Sequence, residues 1–115
     1  MSTDSTTKIR RLNDQFRTAP AFFAAAYGRV MITSGIAALD PTDQIAIMDK
    51  VRSFDDFSGA NDPHGEHDFG SFEHARLKVF WKIDYYDRTL SWGSEDPSDP
   101  TKTCRVLTVM LSEEY

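Results

Sequence analysis

The residues best suited to chemistry sit in one short run, His64-Gly65-Glu66-His67-Asp68, which gathers two imidazoles and two carboxylates in five positions. Neutral imidazole and carboxylate are common ligands for zinc and other divalent ions. Histidines three apart around a glycine reach one ion only where the loop folds back, and a catalytic ion needs a third protein ligand as well. Asp68 can supply it, as can Asp84 or Asp87 at the end of the next apolar segment. That set (His64, His67, Asp68) would make a small zinc-type hydrolase with Glu66 as general base. The same run also suits a plain turn, in which Asp62 and Asp68 accept backbone hydrogen bonds and the imidazoles tie the loop to the sheet.

A second cluster, Lys82, Asp84, Tyr85, Tyr86 and Asp87, holds groups able to move protons. Asp84 and Tyr86 would share a strand face and could act as base and acid, but lysines beside an aspartate on such a face also make ordinary ion pairs. The sequence has neither a G-x-S-x-G elbow nor a phosphate-cradling glycine loop. Cys104 lies in an apolar run, where a buried inert thiol is expected. No complete catalytic set is visible, so the favoured reading carries no catalytic residue and no cofactor.

The elements that must position these groups follow from periodicity. A helix starting near Ser5 to Thr7 would bury Ile9, Leu12 and Phe16, turn Arg10, Arg11, Asp14 and Arg17 to water, and stop at Thr18-Ala19-Pro20. Ala21 to Tyr27 suits a further helical turn, and Arg29 to Thr33 a strand. Asp40-Pro41-Thr42-Asp43 opens a second helix, with Asp40 as capping acceptor and Ile45, Met48, Val51 and Phe54 as buried stripe. From Leu77 to Tyr86 the period is two, with Leu77, Val79, Trp81, Ile83 and Tyr85 on one face. Phe69 to Glu73 pairs with it through a turn at His74-Ala75, and Thr89 to Trp92 begins a further strand. Thr103 to Leu111 reads as the last strand, with a helix as the rival. These elements predict a single α+β domain over residues 7–115, after a flexible segment 1–6. It is a mainly antiparallel sheet of four to five strands with two helices packed on one face.

Charge narrows the function. Residues 1–54 balance at +2, residues 55–99 at −7, and residues 100–115 at zero, giving −5 over 115 residues. An acidic surface repels phosphate backbones and attracts basic ones, so direct nucleic-acid binding is not expected and a basic protein surface is. No apolar run approaches the roughly 18 to 20 residues that cross a bilayer. The single cysteine leaves no internal disulfide and points to a reducing, cytoplasmic setting. The predicted contact face comprises Asp55, Asp56, Asp62, Glu66, Asp68, Trp92, Glu95, Asp96 and Asp99, with Trp92 exposed beside the acidic loop and Trp81 buried. A structural alternative is a homodimer formed through an exposed strand edge, with the last strand as the candidate.

Several segments carry a resemblance: Asn61-Asp62-Pro63-His64-Gly65-Glu66-His67-Asp68-Phe69-Gly70, Phe80-Trp81-Lys82-Ile83-Asp84-Tyr85-Tyr86-Asp87, Gly93-Ser94-Glu95-Asp96-Pro97, and Arg105 to Leu111 with Glu113-Glu114-Tyr115. From about Ile9 to Tyr115 the chain resembles domain of unknown function 3768, a family of small bacterial proteins carried largely by plasmids and other mobile elements. It departs from the family pattern in the longer, more apolar stretch Ala19 to Tyr27. What the resemblance implies is a setting rather than a reaction. Small acidic proteins of mobile elements are often inhibitors of host defence nucleases, such as restriction or CRISPR complexes, which are nucleic-acid-binding partners.

Overall fold

A computed structural model of the chain describes residues 3–20, 24–59 and 62–115. Helix α1 spans Thr3–Thr18, strand β1 Gly28–Ile32, the single-turn helix α2 Ser34–Ala37 and helix α3 Pro41–Ser53. Strands β2 (Phe69–His74), β3 (Leu77–Tyr86) and β4 (Cys104–Leu111) follow, and a 3-10 turn covers Ser112–Glu114. Among the described residues the sheet has four strands in the order β1-β4-β3-β2. The β2/β3 and β3/β4 pairs are antiparallel and β1/β4 is parallel, so the α+β domain is built on a mixed sheet.

β3 follows its sequence period. Val79, Trp81 and Ile83 are buried beneath the helices, and Lys78, Phe80, Lys82, Asp84 and Tyr86 alternate onto the opposite face. The β2–β3 turn holds Ala75 and Arg76 at φ 49° and 70°, the positive values that a tight two-residue hairpin requires. Gly70 pairs with Trp81, and a Cβ there would stand 2.5 Å from the Trp81 indole nitrogen, so glycine makes room for the ring. β4 is a strand, not a helix. Leu107 and Val109 face the helices while Val106 and Met110 are buried on the other side, the two-sided burial of a central strand.

Five expectations are corrected. Arg17 does not face water: Ile9, Asn13, Phe16 and Arg17 form one buried stripe along α1, which begins already at Thr3. The buried stripe of α3 is centred on Ile47 and Val51, while Ile45 is 64% exposed. It rotates because the helix ends at Ser53; Phe54 continues as extended chain and sets its ring edge-on to Trp81. The Asp40 side chain makes no cap bond, and its carbonyl instead accepts from the Gln44 amide. Thr89–Trp92 forms no strand, because the Asp87 carboxylate folds it into a turn that meets β3 only at the isolated Tyr86–Gly93 bridge. The last strand, finally, lies between β1 and β3 and offers no edge. The predicted helical turn over Ala21 to Tyr27 falls partly outside the described residues; Ala24–Tyr27 forms a turn. No helix among the described residues is long and apolar enough to cross a membrane.

Candidate functional site

The segment 62–68 closes on itself before entering β2. Its Asp62 carboxylate accepts from the His67 amide at 3.1 Å, the Gly65 amide donates to the Asp62 carbonyl at 3.2 Å, and Gly65 and His67 take positive φ. Side chains of α1 read the backbone of this loop. Arg10 donates to the Gly65 carbonyl and Asn13 to the Glu66 carbonyl at 2.9 Å.

Behind the loop lies a buried polar network that local sequence patterns did not predict. Asn13 is fully buried; its amide donates to the Tyr85 hydroxyl at 2.8 Å and its oxygen accepts from Arg105 Nε at 2.6 Å. The Tyr85 hydroxyl in turn donates to Glu66 at 2.7 Å, and Arg105 Nη2 donates to the Pro97 carbonyl. Burial, then the hydrogen bond to Glu66, push the Tyr85 phenol far above its usual pKa, so it acts as a fixed donor and not as a proton shuttle. Burial lowers the Arg105 guanidinium from its ordinary value, opposed by Tyr85 and Glu66. Two sequence signals mark the network: Arg105 is the one charge inside an apolar strand, and Asn13 falls on the Ile9–Phe16 face of α1.

His67 belongs to the same layer. Its ring stacks on Phe57 at 3.6 Å between centroids, its Nδ1 lies 2.9 Å from Asp14, and its Nε2 lies 3.6 Å from Asp62. Asp14 also pairs with Arg17, whose guanidinium rests over Trp81 and Phe57 and donates to the Val51 carbonyl. His64 points elsewhere. With Asp68, Lys82, Asp84 and Tyr115 it lines a surface cavity of about 400 Å³ on the sheet face away from the helices. Burial and then the Glu66 carboxylate hold the Asp68 acid above the ordinary aspartate range, and Asp84 is tied to Lys82 at 2.9 Å. The structure thus brings His64, Asp68 and Asp84 to one cavity and separates them from His67. Among the described residues no three His, Cys, Asp or Glu side chains converge to hold a metal ion. Cys104 is half-buried and free.

The predicted partner face divides in the same manner. Asp62 and Glu66 are committed inward, whereas Asp55 and Asp56 are exposed just beyond α3. The β3–β4 loop, 87–103, is built on three aspartates that each close a turn. Asp87 accepts from the Thr89 amide and hydroxyl and from the Ser91 amide; Asp96 accepts from Ser98, and Asp99 from Thr101. Those bonds hold the Asp87 and Asp99 carboxyls below the usual range, the Thr89 and Thr101 hydroxyls contributing most. The buried Thr103 hydroxyl donates to the Asp96 carbonyl and shares a hydrogen bond with Ser94, which fixes the loop to the sheet. At its tip Leu90 is held at φ 60° and Trp92 is 77% exposed, with the Glu95 carboxylate exposed beside Lys102.

Residues 32–114 match the model of a family described as protein of unknown function DUF3768. The chain belongs to that family. The DUF3768 match begins at residue 32 and not near Ile9, so Asn13, Asp14 and Arg17 of α1 lie before it, while Glu66, His67, Tyr85, Trp92 and Arg105 lie within it. Searches of curated proteins and of solved structures give no match.

Proposed function

We propose that this DUF3768 protein is a non-catalytic binding module whose β3–β4 loop docks on a basic protein surface. The observation that carries the reading is Trp92, 77% exposed on a loop that three aspartate-closed turns hold in place. An exposed indole on a rigid support offers large contact area at little ordering cost, and neighbouring carboxylates pair with Arg or Lys of a partner. Where that basic surface ordinarily holds nucleic acid, the module would inhibit by occupying it. A nucleic-acid-targeting defence complex of restriction or CRISPR type is the target class that the mobile-element setting of the resemblance suggests. A reducing cytoplasm suits the lone thiol.

The test is capture of partners by the tagged chain from native bacterial lysate at low and high salt, repeated with Trp92→Ala and Glu95→Lys. These two leave the turn-closing aspartates untouched, unlike substitutions at Asp96 and Asp99. A stoichiometric basic partner that is lost at high salt and in both variants supports the reading. Binding that survives salt and both substitutions overturns it. A second reading, a small metal-dependent hydrolase, has one observation in its favour: His64, Asp68 and Asp84 line one cavity. Calorimetric titration of zinc or manganese into wild type and His64→Ala tests it, and absence of heat in the wild type would exclude it.

A further inference from the structure

β1 occupies one edge of the sheet, and there Val30, Met31 and Ile32 are 41%, 55% and 40% exposed. These three consecutive apolar residues straddle both faces: Val30 and Ile32 align with Leu107 and Val109 on the helix side, and Met31 aligns with Thr108 on the open side. Edge strands are ordinarily blunted by lysine, proline, a bulge or a covering element, and among the described residues β1 carries only Arg29. The phase of its free backbone groups is fixed at both ends. The Tyr27 carbonyl accepts from the Arg105 amide at 3.4 Å, and the Thr33 amide donates to the Val109 carbonyl at 3.1 Å. Backbone groups alternate sides along a strand. Odd-numbered positions therefore face β4, while Gly28, Val30 and Ile32 direct their amides and carbonyls outward.

We propose that β1 pairs with β1 of a second copy, antiparallel about a twofold axis at Val30, joining two sheets into one. In this register Val30 opposes itself, Gly28 opposes Ile32, and Arg29 opposes Met31. Every outward donor meets an outward acceptor, and no arginine faces an arginine. The pairing is isologous, so it closes about the axis with the same residues contributed by both copies. Charge agrees: the acidic loop before β2, and Glu73 of β2 itself, lie at the opposite edge, so copies meeting at β1 keep those carboxylates apart.

Sedimentation equilibrium on the full chain across the micromolar range tests the pairing, with circular dichroism confirming that each variant is folded. The wild type should be a weak dimer of micromolar order. Met31→Lys sets a cation opposite Arg29 and should weaken it by about tenfold, whereas Met31→Glu should tighten it severalfold. Val30→Pro deletes an outward amide that donates nothing to β4 and should abolish the dimer. A wild type that stays monomeric at every concentration overturns the proposal, as does a dimer that responds identically to Met31→Lys and Met31→Glu.

Discussion

Residues 62–68 and 87–99 read alike in the sequence, both acidic and both rich in turn formers, yet their carboxylates are spent in different ways. In the first loop Asp62 and Glu66 turn inward and meet His67 and Tyr85, which anchors α1 to the sheet. In the second, the Asp87, Asp96 and Asp99 carboxylates bond, among the described residues, within their own turns, and the result is a support that presents Leu90 and Trp92 to solvent. An acidic loop is therefore not by itself a surface for partners. What distinguishes the two is where buried donors land: Asn13 and Tyr85 reach the Glu66 carbonyl and carboxylate of the first, while Thr103 and Arg105 reach only the Asp96 and Pro97 carbonyls of the second and leave its carboxylates to their own turns.

The sharpest way to break this comparison is to remove the donors. Arg105→Ala should cost about 3–5 kcal/mol in urea unfolding, since it opens a cavity and leaves the Asn13 oxygen unpaired. Asn13→Ala should cost about 3 kcal/mol, because it orphans Arg105 Nε and takes a partner from Tyr85. Trp92→Ala should change stability by no more than about 0.5 kcal/mol. Its effect should fall on partner capture, where loss of an anchoring indole is worth about 2 kcal/mol or more. If Trp92→Ala destabilises the fold as Asn13→Ala does, the two loops are not distinct in role.

A milder comparison uses one substitution in both places. Glu66→Ala removes the acceptor of the Tyr85 hydroxyl and should cost about 1–2 kcal/mol, whereas Glu95→Ala, whose side chain is 76% exposed, should leave the unfolding midpoint unchanged. Equal losses in the two variants would mean that the Tyr85–Glu66 bond contributes nothing beyond a surface carboxylate.

The legible parts of this molecule are those that depend on near neighbours in the chain. β3 was readable from its period of two, the start of α3 from Pro41, and the burial of Trp81 from its place between Val79 and Ile83. The network was not readable, because Asn13 and Arg105 are 92 positions apart, and a polar residue on an apolar face shows that a partner is needed without showing which one. The parallel β1/β4 pair escaped for the same reason: no turn announces it, and its register is set by a partner far along the chain. The stripe of α3 was misplaced because Phe54, read as helical, is the first residue of extended chain. At the candidate site, the exposure of Trp92 was legible from its glycine and acidic neighbours, while His67 and His64 are close in sequence and the fold gives them different surroundings.

The smallest expected effect tests the two loops by sign. The Asp87 carboxyl is held below the ordinary aspartate value of 3.8 by its hydrogen bonds, so its charge favours the folded state above that pH, and the contribution is lost as pH falls through the lower folded value. Asp68 is the reverse. Burial raises its acid above 3.8, so the fold carries no penalty below that pH and acquires one as pH rises through the raised value. Asp87→Asn should therefore lower the urea midpoint at pH 7 and converge on wild type only as pH falls through the lowered folded value. Asp68→Asn should raise the midpoint at pH 7 and also converge below pH 3.8. Asparagine keeps a carbonyl acceptor at both positions, so the charge is what changes, and opposite signs at neutral pH separate a carboxylate that its loop uses from one that its cavity only tolerates. If both variants lower the midpoint at pH 7, Asp68 is a structural acceptor like Asp87, and the cavity it shares with His64 and Asp84 has no claim on a ligand.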